Sequence, residues 1–122
     1  MATQVLCVTF DCHDPIRQAE FWAKVLSYTE LIEEGIDAPQ IADPSGIGPT
    51  LLFNPVPEPK TAKNRMHFDI GPEISIEEEV ERIVAIGARS GPTIQEGGWI
   101  WTVMQDPEGN EFCVAEPMSR RQ

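Results

Sequence analysis

Nothing in these 122 residues amounts to the run of about 20 apolar residues that a membrane-spanning helix needs. Basic residues are scarce: nine Lys and Arg stand against twenty Asp and Glu, for a formal net charge of −11. A surface of that sign repels phosphate backbones and anionic lipid, so neither nucleic acid nor membrane is an expected partner. Cysteines are few. Cys7, Cys12 and Cys113 are odd in number and form no C-x-x-C pair, which argues against a disulfide framework and a zinc knuckle. This usage suits a reducing compartment, and a cytoplasmic location is expected. Met1-Ala2-Thr3-Gln4 has neither a basic n-region nor a long apolar h-region, so no signal peptide is expected.

What is present is a repeat. Hydrophobic residues make up 41 % of the chain, a globular composition. Arg65-Met66-His67-Phe68-Asp69-Ile70 alternates ionisable and apolar residues, the period of a strand with one polar and one apolar face. Thr9-Phe10-Asp11-Cys12 matches His67-Phe68-Asp69-Ile70 at an offset of 58 residues, and Asp43-Pro44-Ser45-Gly46 matches Asp106-Pro107-Glu108-Gly109 at 63. By this repeat Cys7, Thr9 and Asp11 correspond to Arg65, His67 and Asp69.

Each half has the same order of elements. Residues 4–12 read as a strand. Asp14-Pro15 opens a helix to about Ser27, with Asp14 as N-cap and Phe21 and Trp22 on an apolar stripe read as core. Residues 28–33 and 40–42 read as strands about a polar turn at 34–39, and residues 49–54 as a further strand. Val56-Pro57-Glu58-Pro59-Lys60 reads as a linker. In the second half, residues 65–70 form the first strand. Ser75, with Glu78 in a capping box, starts a helix that Gly87 ends, with Glu77-Glu78-Glu79 as its solvated first turn. Strands follow at 91–96, 99–104 and 111–116, and residues 119–122 read as a frayed tail. The fold class is α+β, with one β-α-β-β-β unit in each half.

The Asp14-Pro15 helix bearing Phe21-Trp22, the two Asp-Pro-x-Gly turns and Asp106-Pro107-Glu108-Gly109-Asn110 before the last strand resemble the glyoxalase/bleomycin-resistance/dioxygenase superfamily, the vicinal oxygen chelate fold. Asn64-Arg65-x-His67-x-Asp69 and Gly109-Asn110-Glu111-Phe112-Cys113 narrow the resemblance to short glyoxalase-like proteins. It extends over about residues 4–117. It implies a single glyoxalase-like domain over 1–122 made of two paired βαβββ units forming a half-open barrel. Unit 1 would cover about 4–56, the linker 57–63 and unit 2 64–117. It also implies a small-molecule pocket and, often, a homodimer, which is expected here. Family members include metal-dependent lyases, isomerases and dioxygenases as well as metal-free drug-binding proteins.

The same resemblance places the metal ligands of metal-dependent members at inward positions of the first and last strand of each unit. Counted from the strand phenylalanines these are Cys7 and Arg65, and counted from the Asp-Pro turns they are Leu52 and Cys113. Arginine cannot deprotonate to ligate, and leucine has no donor. Two thiols are too few for a closed site, so no metal or other cofactor is expected and a divalent ion is disfavoured.

The candidate catalytic residues are His67, Asp69 and Asp11. His67 carries the one side chain of the polar row that titrates near neutrality when unperturbed. It reads as an acid, base or ligand anchor, or as a structural histidine bonded to Asp69 or Asp11. Asp11 and Asp69 read as a carboxylate pair on one cavity, or as ties from each strand to a neighbouring loop. Arg65, His67, Thr9, Trp99, Trp101 and Cys113 are the candidate ligand-binding residues. Trp99 and Trp101 share a strand face that is either a pocket wall or an outward surface. His13 is expected to be exposed. The expected function is binding of a small organic ligand in a concave pocket without metal. The alternative is a lyase or dioxygenase, metal-dependent or using His67 with Asp11 or Asp69.

Overall fold

The computed structural model describes residues 2–31 and 38–121. The first unit runs β1 (Cys7–Cys12), α1 (Pro15–Leu26), β2 (Thr29–Leu31), β3 (Gln40–Ala42) and β4 (Thr50–Pro55). The second runs β5 (Asp69–Ile70), α2 (Ile76–Ile86), β6 (Arg89–Glu96), β7 (Trp99–Gln105) and β8 (Glu111–Pro117), then a 3-10 turn at Met118–Arg121. Their sheets have the same plan, β1-β4-β3-β2 and β5-β8-β7-β6. In each, the first strand pairs parallel with the last and the remaining pairs are antiparallel. This is the α+β fold with a twice-used βαβββ unit that the repeat predicts. The chain divides between Lys60 and Thr61.

The helices begin and end where their capping chemistry dictates. The Asp14 carboxylate accepts the Arg17 N–H at 3.2 Å, and Pro15 takes the first position, where no N–H is needed. Ser27 closes α1 in the left-handed region, φ 56°. The Ser75 hydroxyl accepts the Glu78 N–H at 3.1 Å, and Gly87, φ 132°, ends α2.

The core of the first unit forms where α1 lies on its sheet. Trp22 and Phe21 of the helix are buried with Ile41, Leu51 and Phe53. Phe10 meets Trp22 edge-on at 5.9 Å and Phe53 at 5.2 Å between ring centroids. Alternation on β1 follows the sequence pattern: Cys12 is buried and Val8 and Phe10 half-buried, while Cys7, Thr9 and Asp11 are exposed. In the second unit Ile76 and Ile83 of α2 are buried with Met104, Phe112 and Val114 of β7 and β8.

Three expectations need correction. Strand β1 begins at Cys7 rather than at residue 4, and Val5 and Leu6 stand exposed before it. The strand expected over 65–70 is confined to Asp69–Ile70. Upstream of it, the Asn64 N–H is donated to the Glu111 carboxylate at 3.0 Å, and the Asn64 amide donates to Asn110 Oδ1 at 3.3 Å. These bonds tie the chain ahead of β5 to the turn before β8 and to the first residue of β8. Met66 does not pack under α2 and is 84 % exposed. Of the tail expected to fray at 119–122, residue 122 lies outside the described residues and residues 120 and 121 are tied down. Arg120 and Arg121 both bond the Glu116 carboxylate, at 2.6 and 2.8 Å, and Arg121 also bonds Glu77 at 2.6 Å. Glu116 is buried, and a buried carboxylate requires such partners. Of the strand expected at 28–33 and the polar turn expected at 34–39, residues 32–37 lie outside the described residues.

Candidate functional site

Strand alternation in the second unit separates a core face from a cavity face. Thr102, Met104, Phe112 and Val114 are buried on one side of β7 and β8. Trp99, Trp101 and Val103 of β7, with Cys113 and Ala115 of β8, line a cavity of about 840 Å³ on the other. The register sets Trp101 opposite Ala115 and Val103 opposite Cys113, so the small residues of β8 leave room in front of the indoles. Trp99 and Trp101 thus share a face that lines this cavity.

Polar groups enter this cavity from four segments. His67 and Asp69 come from β5 and the residues before it, Glu111 from the start of β8, and Lys63 from the segment that leads in. Glu96 comes from the end of β6, where Gly97 and Gly98, with φ of 60° and 81°, make a two-residue hairpin. That turn sets Glu96 directly opposite Trp99.

Asp69 is the hub of the polar part. Its Oδ1 lies 3.3 Å from His67 Nε2. It is also the register partner of Cys113 across β5 and β8, with its carboxylate within 4.8 Å of the Cys113 sulfur. The Cys113 pKa is raised above the ordinary thiol value, first by burial and then by the charge and hydrogen bond of Asp69. The thiol is therefore held protonated at neutral pH, which disfavours a nucleophilic role. The first unit repeats the pairing: Asp11 stands opposite Asn54, whose amide donates to Asp11 Oδ1 at 3.1 Å.

That correspondence revises the counting of ligand positions. Asp11 corresponds to Asp69, so the residue matched to Cys113 is Asn54 and not Leu52. Arg65 lies outside β5 and is not among the lining residues. The donors that do gather are His67, Asp69 and Cys113, each offering a ligand atom within 4.8 Å of the others. Imidazole nitrogen, carboxylate oxygen and sulfur form a set that fits a borderline divalent ion such as zinc.

Of the residues singled out in the sequence, the second unit brings together His67, Asp69, Trp99, Trp101 and Cys113. Thr9 and Asp11 belong to the first unit, where both are exposed on β1. His13 is exposed, as expected. Sequence reasoning missed Lys63, Glu96 and Glu111. Glu111 shares the alternation of Cys113, and Glu96 faces Trp99 across a Gly-Gly turn, so both had a readable signal. Lys63 sits in irregular chain and had none.

The model of the glyoxalase-like domain matches residues 7–115, nearly the whole chain. The protein belongs to the glyoxalase-like domain family. The solved structures agree in fold. A glyoxalase/bleomycin resistance protein/dioxygenase family enzyme from Burkholderia phytofirmans PsJN superimposes with a TM-score of 0.73 at 19 % identity, covering 93 % of this chain and 98 % of that one. The fosfomycin resistance protein FosX from Listeria monocytogenes gives 0.75 at 14 % identity over 100 % of both chains. Leishmania major glyoxalase I gives 0.72 at 15 % identity, covering 98 % of this chain and 91 % of that one. At these identities the likeness is one of fold. No curated protein matches the chain.

Proposed function

We propose that this glyoxalase-like protein binds a small organic ligand with an aromatic part, without needing the metal of its metal-dependent relatives. The observation that carries this reading is the cavity of about 840 Å³ walled by Trp99 and Trp101. Its size is that of sites for drug-sized molecules, and its make-up, apolar walls with a few convergent polar groups, is that of a ligand pocket. His67 and Asp69 supply a donor and an acceptor that orient the ligand. Arg65, the anchor expected from sequence, is replaced in this reading by His67 and Lys63. The test is a thermal-shift screen of planar aromatic and aliphatic compounds. Aromatic compounds are expected to raise Tm by mass action. Trp101→Ala is expected to weaken them about 10- to 100-fold, the equivalent of about 1.5–3 kcal/mol for a buried large apolar side chain. A screen in which no compound raises Tm overturns the reading.

A second reading is favoured by the convergence of His67, Asp69 and Cys113. Three protein donors with an open position are the pattern of catalytic zinc sites. A bound ion would supply Lewis acidity toward a ligand oxygen. His67, Asp69 and Cys113 would hold it, while the tryptophans would keep the ligand's apolar part out of water. Zinc at about 100 times its Kd is then expected to stabilise the protein by about 2.7 kcal/mol. Cys113→Ser should remove most of that gain. A melting curve that zinc leaves unchanged eliminates this reading and leaves the metal-free one.

A further inference from the structure

We infer that the ligand of this cavity is a planar organic cation, held between the indoles of Trp99 and Trp101 and the carboxylates of Glu96 and Glu111. The inference rests on the small-molecule reading above and adds the charge of the ligand. Three carboxylates, those of Asp69, Glu96 and Glu111, line the cavity against a single lysine, Lys63. The whole chain carries a formal charge of −11, so its field concentrates cations and repels anions before any contact forms.

The local geometry has the same sign. Glu96 and Trp99 are register partners beside the Gly97-Gly98 hairpin, and residues directly opposite on paired strands have Cβ atoms about 5 Å apart. An indole face attracts cations through its quadrupole, and a carboxylate at its side attracts them by charge. Both groups line the cavity. The roles of the other two carboxylates differ. Asp69 is engaged by His67, and Glu111 accepts the Asn64 N–H while still facing the cavity. Glu96 is an exposed lining residue, so an incoming charge can reach it directly. An anionic ligand would have to approach all three, and Arg65, the side chain best suited to it, lies outside the lining. The flat apolar wall selects for a ring system, because stacking on indole requires a planar partner.

The experiment compares three planar tricyclic probes by isothermal titration calorimetry on the full chain: proflavine, a cation at neutral pH; acridone, neutral; and anthracene-2-carboxylate, an anion. Proflavine is expected to bind about tenfold tighter than acridone, the scale of a cation–π contact with a neighbouring carboxylate, and the anion weakest. Glu96→Gln should weaken proflavine about tenfold while leaving acridone unchanged, and added salt should reduce the difference between the two probes. Glu111→Gln provides the same comparison on a second element. Acridone or the anion binding as tightly as proflavine, with Trp101→Ala abolishing the heat, overturns the charge assignment and leaves the small-molecule reading standing. Equal losses of all three probes in Glu96→Gln also overturn it, since packing alone would then be at work. No heat from any probe overturns this inference, and the thermal-shift screen then decides the parent reading separately.

Discussion

Asp106→Ala is expected to destabilise the protein by about 3 kcal/mol, because hydrogen bonds to a charged group contribute about 1.5–3 kcal/mol each and buried donors left without partners add a penalty. Asp106 is 2 % exposed. Its Oδ1 accepts the N–H groups of Glu108 and Asn110, both at 2.9 Å, and its Oδ2 accepts the Asn110 amide at 2.9 Å. The turn before β8 is thus wound about one carboxylate. The consequence extends to the site. Asn110 also accepts from Asn64, and the next residue, Glu111, takes the Asn64 N–H. These bonds position the segment on which Lys63 and His67 lie. Urea unfolding should therefore show a lower midpoint, and amide exchange should show loss of protection at Asn64. Asp106→Asn retains an acceptor but not the charge, and an intermediate loss is expected. An alanine variant within 1 kcal/mol of the parent, on the scale of a single neutral hydrogen bond, would show that water replaces the carboxylate without cost.

Trp22→Ala is expected to cost about 3–5 kcal/mol, the range for removing a large aromatic side chain from a packed interior. Trp22 is 1 % exposed and meets Phe10 and Phe21 edge-on at 5.9 and 5.2 Å between ring centroids. The loss has two parts: the transfer of the indole and the cavity that α1 and its sheet cannot close. Against a total stability of about 5–15 kcal/mol, this is a large fraction. Denaturant unfolding should show a lower midpoint at an unchanged m-value, the sign of a change in stability rather than in unfolded-state compactness. Trp22→Phe should lose less, since it preserves an aromatic edge for Phe10. A small effect of the alanine change would mean that neighbouring side chains collapse into the space.

Much of the fold was legible because short-range chemistry determines it. Asp14-Pro15 and Ser75 mark helix starts whatever surrounds them, since they satisfy N–H groups of the first turn locally. The alternation of Trp99 to Met104 and of Glu111 to Glu116 forces opposite residues to opposite faces, and the tryptophans could only share one. The same rule failed at Arg65–Phe68. Alternation states where side chains would point in a strand, but not whether the strand forms, and here the ladder is confined to Asp69–Ile70.

The sequence by itself determined the doubled βαβββ plan, the capped helices and the acidic balance of charge. These depend on periodicity, caps and charge count, which act within a few residues or on the chain as a whole. His67 stayed open between Asp69 and Asp11 until the structure set it 3.3 Å from Asp69. Only the tertiary structure decided which residues meet across strands. Parallel pairing set Asp69 beside Cys113, 44 positions away, and the hairpin register set Glu96 beside Trp99. It also excluded Arg65 from the cavity lining and admitted Lys63. Such neighbours follow from where ladders begin and end. That depends on pairing between segments far apart in the chain, and no local pattern records its outcome.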